Sequence, residues 1–252
     1  MENSKKYRNY MVFRKPRNRT IRELNNIYVV TGIARNTVED ARRTLETGPR
    51  TKLRFEIPTV RDEMVVAARN RSKILFLLER ASNQDLFAQA LVPAVAITES
   101  YLADMLILVL RAFPKKLGGK DKKVDLSLIL AADDLRTVIE EVIANEVHGA
   151  FYTSPGKYFQ YIEEVLSVSI PHDTKSTYSE VKTTRDIYVH NGGIANRLYC
   201  QKAGRLARAD AGEPLPLDER YFASAITCMK GVVRCIYKGL IEKYGDSKKF
   251  DA

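Results

Sequence analysis

The sequence predicts an all-α helical bundle. Apolar residues recur at helical intervals along most of the chain, and glycines or prolines separate the periodic segments. Pairs of alternating strands joined by a tight Asn-Gly-type turn are missing from the pattern. The 252 residues can bury a sizeable core, and an apolar content of 45% is typical of a folded protein.

The periodicity places the helices in order. A short helix is expected to begin near Asn36 or Thr37 and to end at Gly48. A second is expected from Pro58 to about residue 82, followed by a long apolar helix to Phe113. Further helices are predicted over residues 130–152, from residue 155 to about 168, over 177–191 and over 217–245.

Positive charge is concentrated at the N-terminus. Residues 1–22 carry eight bases and one acid, a local charge of +7 within a net charge of +10. Such a segment favours contact with nucleic acid, although a solvated tail has the same composition. The weak candidates for RNA binding are Lys5, Lys6, Arg14, Lys15, Arg17 and Arg19. We therefore divide the chain into residues 1–55, a basic arm or small helical subdomain, and a helical domain over residues 56–252.

Several classes of protein do not fit the composition. The most apolar region is interrupted by Pro93, Glu99 and Asp104, which indicates a buried core helix rather than a membrane span. Three cysteines without a C-x-x-C pair argue against a disulfide framework and a zinc cluster, and suit a reducing, cytoplasmic compartment. Three histidines without clustered acids predict neither a metal site nor another cofactor.

The segment TTRDIYVHNGG, residues 183–193, is the main candidate for a functional site. Thr177 and Glu180 have the spacing of a capping box at the start of its helix, and Gly192 and Gly193 are a natural stop. Arg185 falls within the apolar arc of this helix. A guanidinium in that position needs a carboxylate, a cavity or a bound anion.

Glu99, which lies between apolar residues of another helix, is the predicted partner of Arg185. His190 lies about 140° from Arg185 around the helix, so the two residues do not share one face. They would converge through the length of arginine, distortion at the helix end or a second copy of the helix. Asp186 precedes His190 by one turn and can orient its ring, while Asn191 adds a polar group. An ordinary ion pair and a helix-end histidine explain the same spacing.

Other constellations have simpler interpretations. His148 and His172 are isolated in the sequence and are interpreted as helix-end or loop histidines rather than as ligands. The aromatic residues Tyr158, Phe159 and Tyr161 could stack on nucleic-acid bases, but their helical spacing favours the core.

The chain resembles the HEPN superfamily (higher eukaryotes and prokaryotes nucleotide-binding). The resemblance rests on Arg185, Asp186, three spacer residues and His190 near the end of a penultimate helix. The helices containing ESYLADMLILVLRAF and YFASAITCMKGVVRCIYKGLIEKYG also resemble those of the family, so that the likeness spans about residues 60–245. One branch of the family has a tyrosine two residues after the histidine, where this chain has Gly192.

The resemblance implies a metal-independent endoribonuclease. It further implies a homodimer in which two copies of the motif meet in one cleft, and a role as a toxin or defence effector with a protein partner such as an antitoxin. His190 would take a proton from a ribose 2′-hydroxyl, its symmetry mate would protonate the leaving oxygen, and Arg185 would stabilise charge on the phosphate. The alternatives are a non-catalytic RNA-binding or dimerisation module and a regulatory subunit.

Overall fold

The computed structural model describes residues 2–48, 52–60, 63–118, 125, 129, 132, 134–151, 153 and 155–250, with only the backbone given for residues 2–9 and 155. The chain is mostly helical, with 77% helix and 6% strand. The predicted all-α class is therefore confirmed. The helices are accompanied by a short β-hairpin, which the sequence pattern did not predict.

The first helix, α1 (Glu2–Thr47), is far longer than the short helix expected near Thr37, although it ends where predicted. It runs through Pro16 without a break. Its buried side chains are Phe13, Thr20, Leu24 and Thr31, which are spaced seven, four and seven residues apart and therefore form one narrow stripe. This stripe packs on the central and last helices. The proposed division at residue 55 stays a prediction, but α1 packs against the later helices of the chain.

Two antiparallel strands, β1 (Leu53–Pro58) and β2 (Met64–Arg69), follow α1. The prediction of a helix from Pro58 to residue 82 is therefore wrong in its first half. Helix α2 (Arg71–Arg80) begins only after the hairpin. Residues 64–68 form an uninterrupted apolar run, which fits a strand as well as part of a helix, so the pattern alone does not separate the two structures.

One continuous helical segment, residues 71–112, leads into the core. Helix α2 passes through a π-helical turn at Ala81–Asp85 into α3 (Leu86–Ala112), which continues through Pro93. The segment is long and apolar enough to cross a membrane by length and composition alone; its most apolar window has a mean hydropathy of 1.6 and is 44% buried. A core helix passes the same test, and α3 places twelve buried residues in the core.

Five further α-helices follow α3 in the described part of the chain. They are α4 (Leu135–Phe151), α5 (Pro155–Leu166), α6 (His172–His190), α7 (Arg197–Ala203) and α8 (Glu219–Tyr244). Asp218 caps α8 by accepting a hydrogen bond from the Tyr221 amide at 2.8 Å. The expected capping box at the start of α6 is wrong: the helix begins at His172, directly after Pro171, and Glu180 lies well inside it.

Most of the core lies between α3 and α8, and α1, α4, α5 and α6 pack against this pair. Tyr158 and Phe159 are buried there and Tyr161 packs against them, in agreement with their interpretation as core residues. A smaller cluster joins the end of α6 to α7 and the loop before α8; it contains Ile187, Ala195, Tyr199, Ala203 and Leu215. This second cluster holds the TTRDIYVHNGG segment in place.

Candidate functional site

Helix α6 ends as the sequence predicts. Gly192 and Gly193 have φ values of 60° and 80°, in the left-handed region that residues other than glycine seldom adopt. The amide of Asn191 donates to the carbonyl of Ile187 at 2.9 Å and completes the last turn. His190 is thus the last helical residue, with an exposed side chain on a fixed backbone.

A second segment fixes the turn after α6. The amide of Leu215 donates to the Gly193 carbonyl, and the amide of Ala195 donates to the Glu213 carbonyl, both at 2.8 Å. Tyr188 reinforces this contact, because its hydroxyl donates to the Leu215 carbonyl and accepts from Gln84 at 2.8 Å. The helix end that carries His190 is therefore tied both to the loop before α8 and to the π-helical turn.

Arg185 forms the predicted contact with Glu99. Its Nη2 donates to Glu99 Oε2 at 3.1 Å, and the two side chains are only 19% and 18% exposed. Arg185 Nε also lies 3.2 Å from Asp186 Oδ1, although the angle is not that of a hydrogen bond. The ammonium group of Lys182 contacts the other oxygen of Glu99. One carboxylate therefore holds two cations side by side.

These side chains line a cavity of about 830 Å³ between α3, α4, α6 and α7, which we call the Arg185 cavity. All five residues of the predicted site border it, namely Glu99, Arg185, Asp186, His190 and Asn191. The cavity extends around α6, so residues on different faces of the helix reach it within a single chain. The side-chain amide of Asn191 has a partner within the fold, because its Nδ2 donates a hydrogen bond to the carbonyl of Ile194.

The cavity also contains residues that the sequence pattern did not indicate. His148 on α4 and Lys202 on α7 line it, together with Lys182. The lining contains three bases (Lys182, Arg185 and Lys202), two carboxylates (Glu99 and Asp186) and two histidines, so its charge suits an anionic ligand. No local pattern around His148 or Lys202 could have revealed this, because tertiary packing brings them to α6.

A buried polar network lies behind the cavity and centres on Glu180, which is 4% exposed. Glu180 accepts hydrogen bonds from Tyr199 at 3.0 Å, Arg208 at 3.0 Å and Tyr221 at 2.8 Å. The Arg208 guanidinium stacks on the Tyr221 ring, 3.5 Å from its centroid. Burial raises the pKa of Tyr221 well above its usual range, so this hydroxyl stays protonated. Tyr199 belongs to both the network and the cavity wall.

The six residues predicted to bind RNA all belong to α1, and they differ in their contacts. Arg19 pairs with Asp104 at 3.1 Å, and Arg17 lies over the Tyr237 ring, 5.1 Å from its centroid. Arg14 lies over the Tyr10 ring of the same helix, 5.8 Å from its centroid, and both Arg14 and Lys15 are exposed. The side chains of Lys5 and Lys6 fall outside the described part of the chain, although the backbone of both residues belongs to α1. Arg17 and Arg19 thus have contacts within the fold.

The chain was also compared with known proteins. It matches no protein-family model, no curated protein and no solved structure. The functional assignment therefore depends on the chemistry of the Arg185 cavity and on the resemblance of its motif.

Proposed function

We propose that this protein is a metal-independent endoribonuclease with its active site in the Arg185 cavity. One observation carries the proposal: a single chain gathers Arg185 and His190 in one cavity with the bases Lys182 and Lys202. Arginine and lysine bind phosphate oxygens, and histidine exchanges protons near neutral pH. These are the groups required to bind and cleave a phosphodiester.

In this proposal Arg185 and Lys182 bind the phosphate. Both side chains contact Glu99, which holds the ammonium group of Lys182 and the guanidinium group of Arg185 next to each other. A phosphate that enters the cavity would share these cations with the carboxylate. Because the charge on the phosphate oxygens grows as the 2′-oxygen attacks, donors that are already oriented stabilise the transition state. Glu99 is accordingly a positioning residue in this mechanism.

In this proposal His190, which lines the cavity, acts as the general base. It accepts the proton of a ribose 2′-hydroxyl while the 2′-oxygen forms a bond to phosphorus and the bond from phosphorus to the 5′-oxygen breaks. The leaving oxygen takes a proton from an acid, giving a 2′,3′-cyclic phosphate and a 5′-hydroxyl. His148, on the same cavity, is one source of this proton. A second copy's His190 is the source that the family resemblance implies.

A second candidate function is a non-catalytic module that binds RNA or a protein partner. The observation in its favour is that Glu99 already neutralises part of the charge of Arg185 and Lys182. In that case the cavity would hold an anion without cleaving it. The toxin or defence role, the antitoxin-like partner and the homodimer belong to the first proposal as expectations from the resemblance. The cytoplasmic location belongs to it as an expectation from the cysteine content.

Mixed RNA incubated in excess chelator tests the proposal. We expect fragments with 2′,3′-cyclic phosphate ends from the wild type, and a loss of rate of about 10²- to 10⁴-fold in His190→Ala. His172→Ala is the matched control, because this histidine is exposed and lies outside the cavity. Unchanged cleavage by His190→Ala would rule out the assignment. Salt-sensitive RNA binding without cleavage would support the binding module instead.

A further inference from the structure

The β1–β2 hairpin has two open edges and exposed apolar side chains. Its strands pack principally on each other among the described elements. Phe55 is 42% exposed, Val65 47% and Val66 63%. An isolated two-stranded hairpin is marginal in water, whereas three or more strands with an apolar face form a stable sheet. The hairpin therefore resembles half of a larger sheet.

The hydrogen bonding shows which backbone groups of β1 face outward. The amide of Thr59 donates to the carbonyl of Glu63 at 2.8 Å, so residues 59 and 63 form a hydrogen-bonded pair. Antiparallel pairs alternate along the strand, and the register is fixed by Ile57 opposite Val65. The N–H and C=O groups of Arg54 and Glu56 consequently point to the free edge. Pro58 also lies on this edge and, lacking an N–H, marks the end of the segment that can pair.

Arg54 and Glu56 have opposite charges and exposed side chains on one face of the hairpin. Within the described part of the chain, neither has a charged partner. If two copies of β1 pair antiparallel about Phe55, Arg54 of each copy faces Glu56 of the other. Each such pair exchanges two backbone hydrogen bonds and places opposite charges across the strands.

The neighbouring registers are disfavoured. Moving the two strands by two residues in one direction brings Glu56 opposite Glu56. Moving them in the other direction brings Arg54 opposite Arg54, with Lys52 opposite Glu56 on either side. The register about Phe55 also has two pairs of opposite charge, but no pair of like charges. Like charges in directly opposite positions destabilise a strand pair. The register about Phe55 also brings Phe55 against its own copy and Leu53 against Ile57 on the opposite face. Charge and apolar contacts therefore select the same arrangement.

We propose that the hairpin is an interaction surface for a second copy of this chain, and that two β1 edges pair about Phe55 to form a four-stranded sheet. The surface takes a second copy rather than an unrelated strand because its charges are complementary to themselves. No residue of this surface lines the Arg185 cavity, so the inference is independent of RNA cleavage.

Charge reversal tests the register. In Arg54→Glu each pair would place two carboxylates opposite one another, and in Glu56→Arg two guanidinium groups. We expect either variant to dimerise at least about tenfold more weakly than the wild type in sedimentation experiments. An equimolar mixture of the two variants should regain the dimer, because each chain then meets the opposite charge. The double variant Arg54→Glu/Glu56→Arg should also dimerise.

Arg43→Glu on α1 is the matched control, since Arg43 is 72% exposed and lies outside the hairpin. It should leave the dimer unchanged, and circular dichroism should show that every variant keeps its helices. A wild type that stays monomeric at all concentrations would overturn the proposal, as would a mixture that stays monomeric. A dimer that survives both reversals but is lost in Val66→Glu would assign the interface to β2 instead. A dimer lost only on substitution of the cavity residues would likewise overturn it, while supporting the composite site of the proposed nuclease.

Discussion

Among individual residues, Glu99 is the carboxylate that holds the cations of the candidate site. It lies on the mostly apolar helix α3 and is 18% exposed, and it holds two cations of α6. Removing one member of a poorly solvated ion pair leaves the other charge without compensation, which usually costs more than the pair itself contributes. The sequence predicted this partner of Arg185 because an unpaired carboxylate would be costly among Leu, Ile and Val side chains.

The Glu99–Arg185 pair makes a prediction about additivity. We expect Glu99→Ala and Arg185→Ala each to lower the free energy of unfolding, and the double variant to lose less than the sum, with a coupling of about 0.5–3 kcal/mol. Urea unfolding of the four proteins measures this cycle. The exposed pair Lys238–Glu242, whose side chains are 79% and 66% exposed, is the control and should be additive within about 0.5 kcal/mol. Strict additivity at Glu99 and Arg185 would contradict the contact.

At the scale of elements, the end of α6 is the feature on which the candidate site depends. Gly193 has a positive φ, and a Cβ added there would lie 3.2 Å from the ring of Tyr188. That ring cannot easily move away, because its hydroxyl is bonded to both Leu215 and Gln84. A Cβ at position 193 would therefore combine a left-handed backbone with a tight contact to the Tyr188 ring.

Gly193→Ala is accordingly expected to lower the free energy of unfolding by about 1–3 kcal/mol, through backbone strain and the contact with Tyr188. Gly32→Ala is the matched control: Gly32 lies within α1 with open space around its Cα. Alanine there should stabilise the protein by up to about 1 kcal/mol, since it is the better helix former. Thermal or urea unfolding distinguishes the two. A Gly193→Ala variant as stable as the wild type would show that the turn relaxes freely.

The elements also show what the sequence can and cannot predict. Helix α6 and its glycine stop followed from periodicity and from the chemistry of helix ends. The hairpin did not, because the segment between its strands carries no Asn-Gly signal and MVVAAR fits either structure. His148 reaches the Arg185 cavity only through the packing of α4, and Arg208 reaches Glu180 through a loop. Contacts between distant segments leave no local pattern to detect.

At the scale of the whole molecule, the packing of α1 bears on whether residues 1–55 form a separate domain. The sequence pattern was weak there because two of the four buried residues among the described side chains of α1 are threonines, so the stripe is only half apolar. Phe13 and Leu24 are nevertheless fully buried in the main core. The Phe13 ring packs edge-on against Phe250 with the centroids 5.1 Å apart, which joins the first helix to the last turn of the chain. A basic arm that binds RNA and a structural helix of the core are different roles, and a single substitution separates them.

Phe13→Ala is expected to lower the free energy of unfolding by about 3–5 kcal/mol, because it removes a buried aromatic ring and leaves a cavity in the core. Val30→Ala in the same helix is the control. Val30 is 63% exposed, so its truncation should change stability by no more than about 0.5 kcal/mol. Urea unfolding followed by circular dichroism measures both. If the two variants were equally stable, α1 would be a detachable arm and the boundary near residue 55 a true domain boundary. A large loss in Phe13→Ala alone would show that α1 and residues 56–252 fold as one cooperative unit.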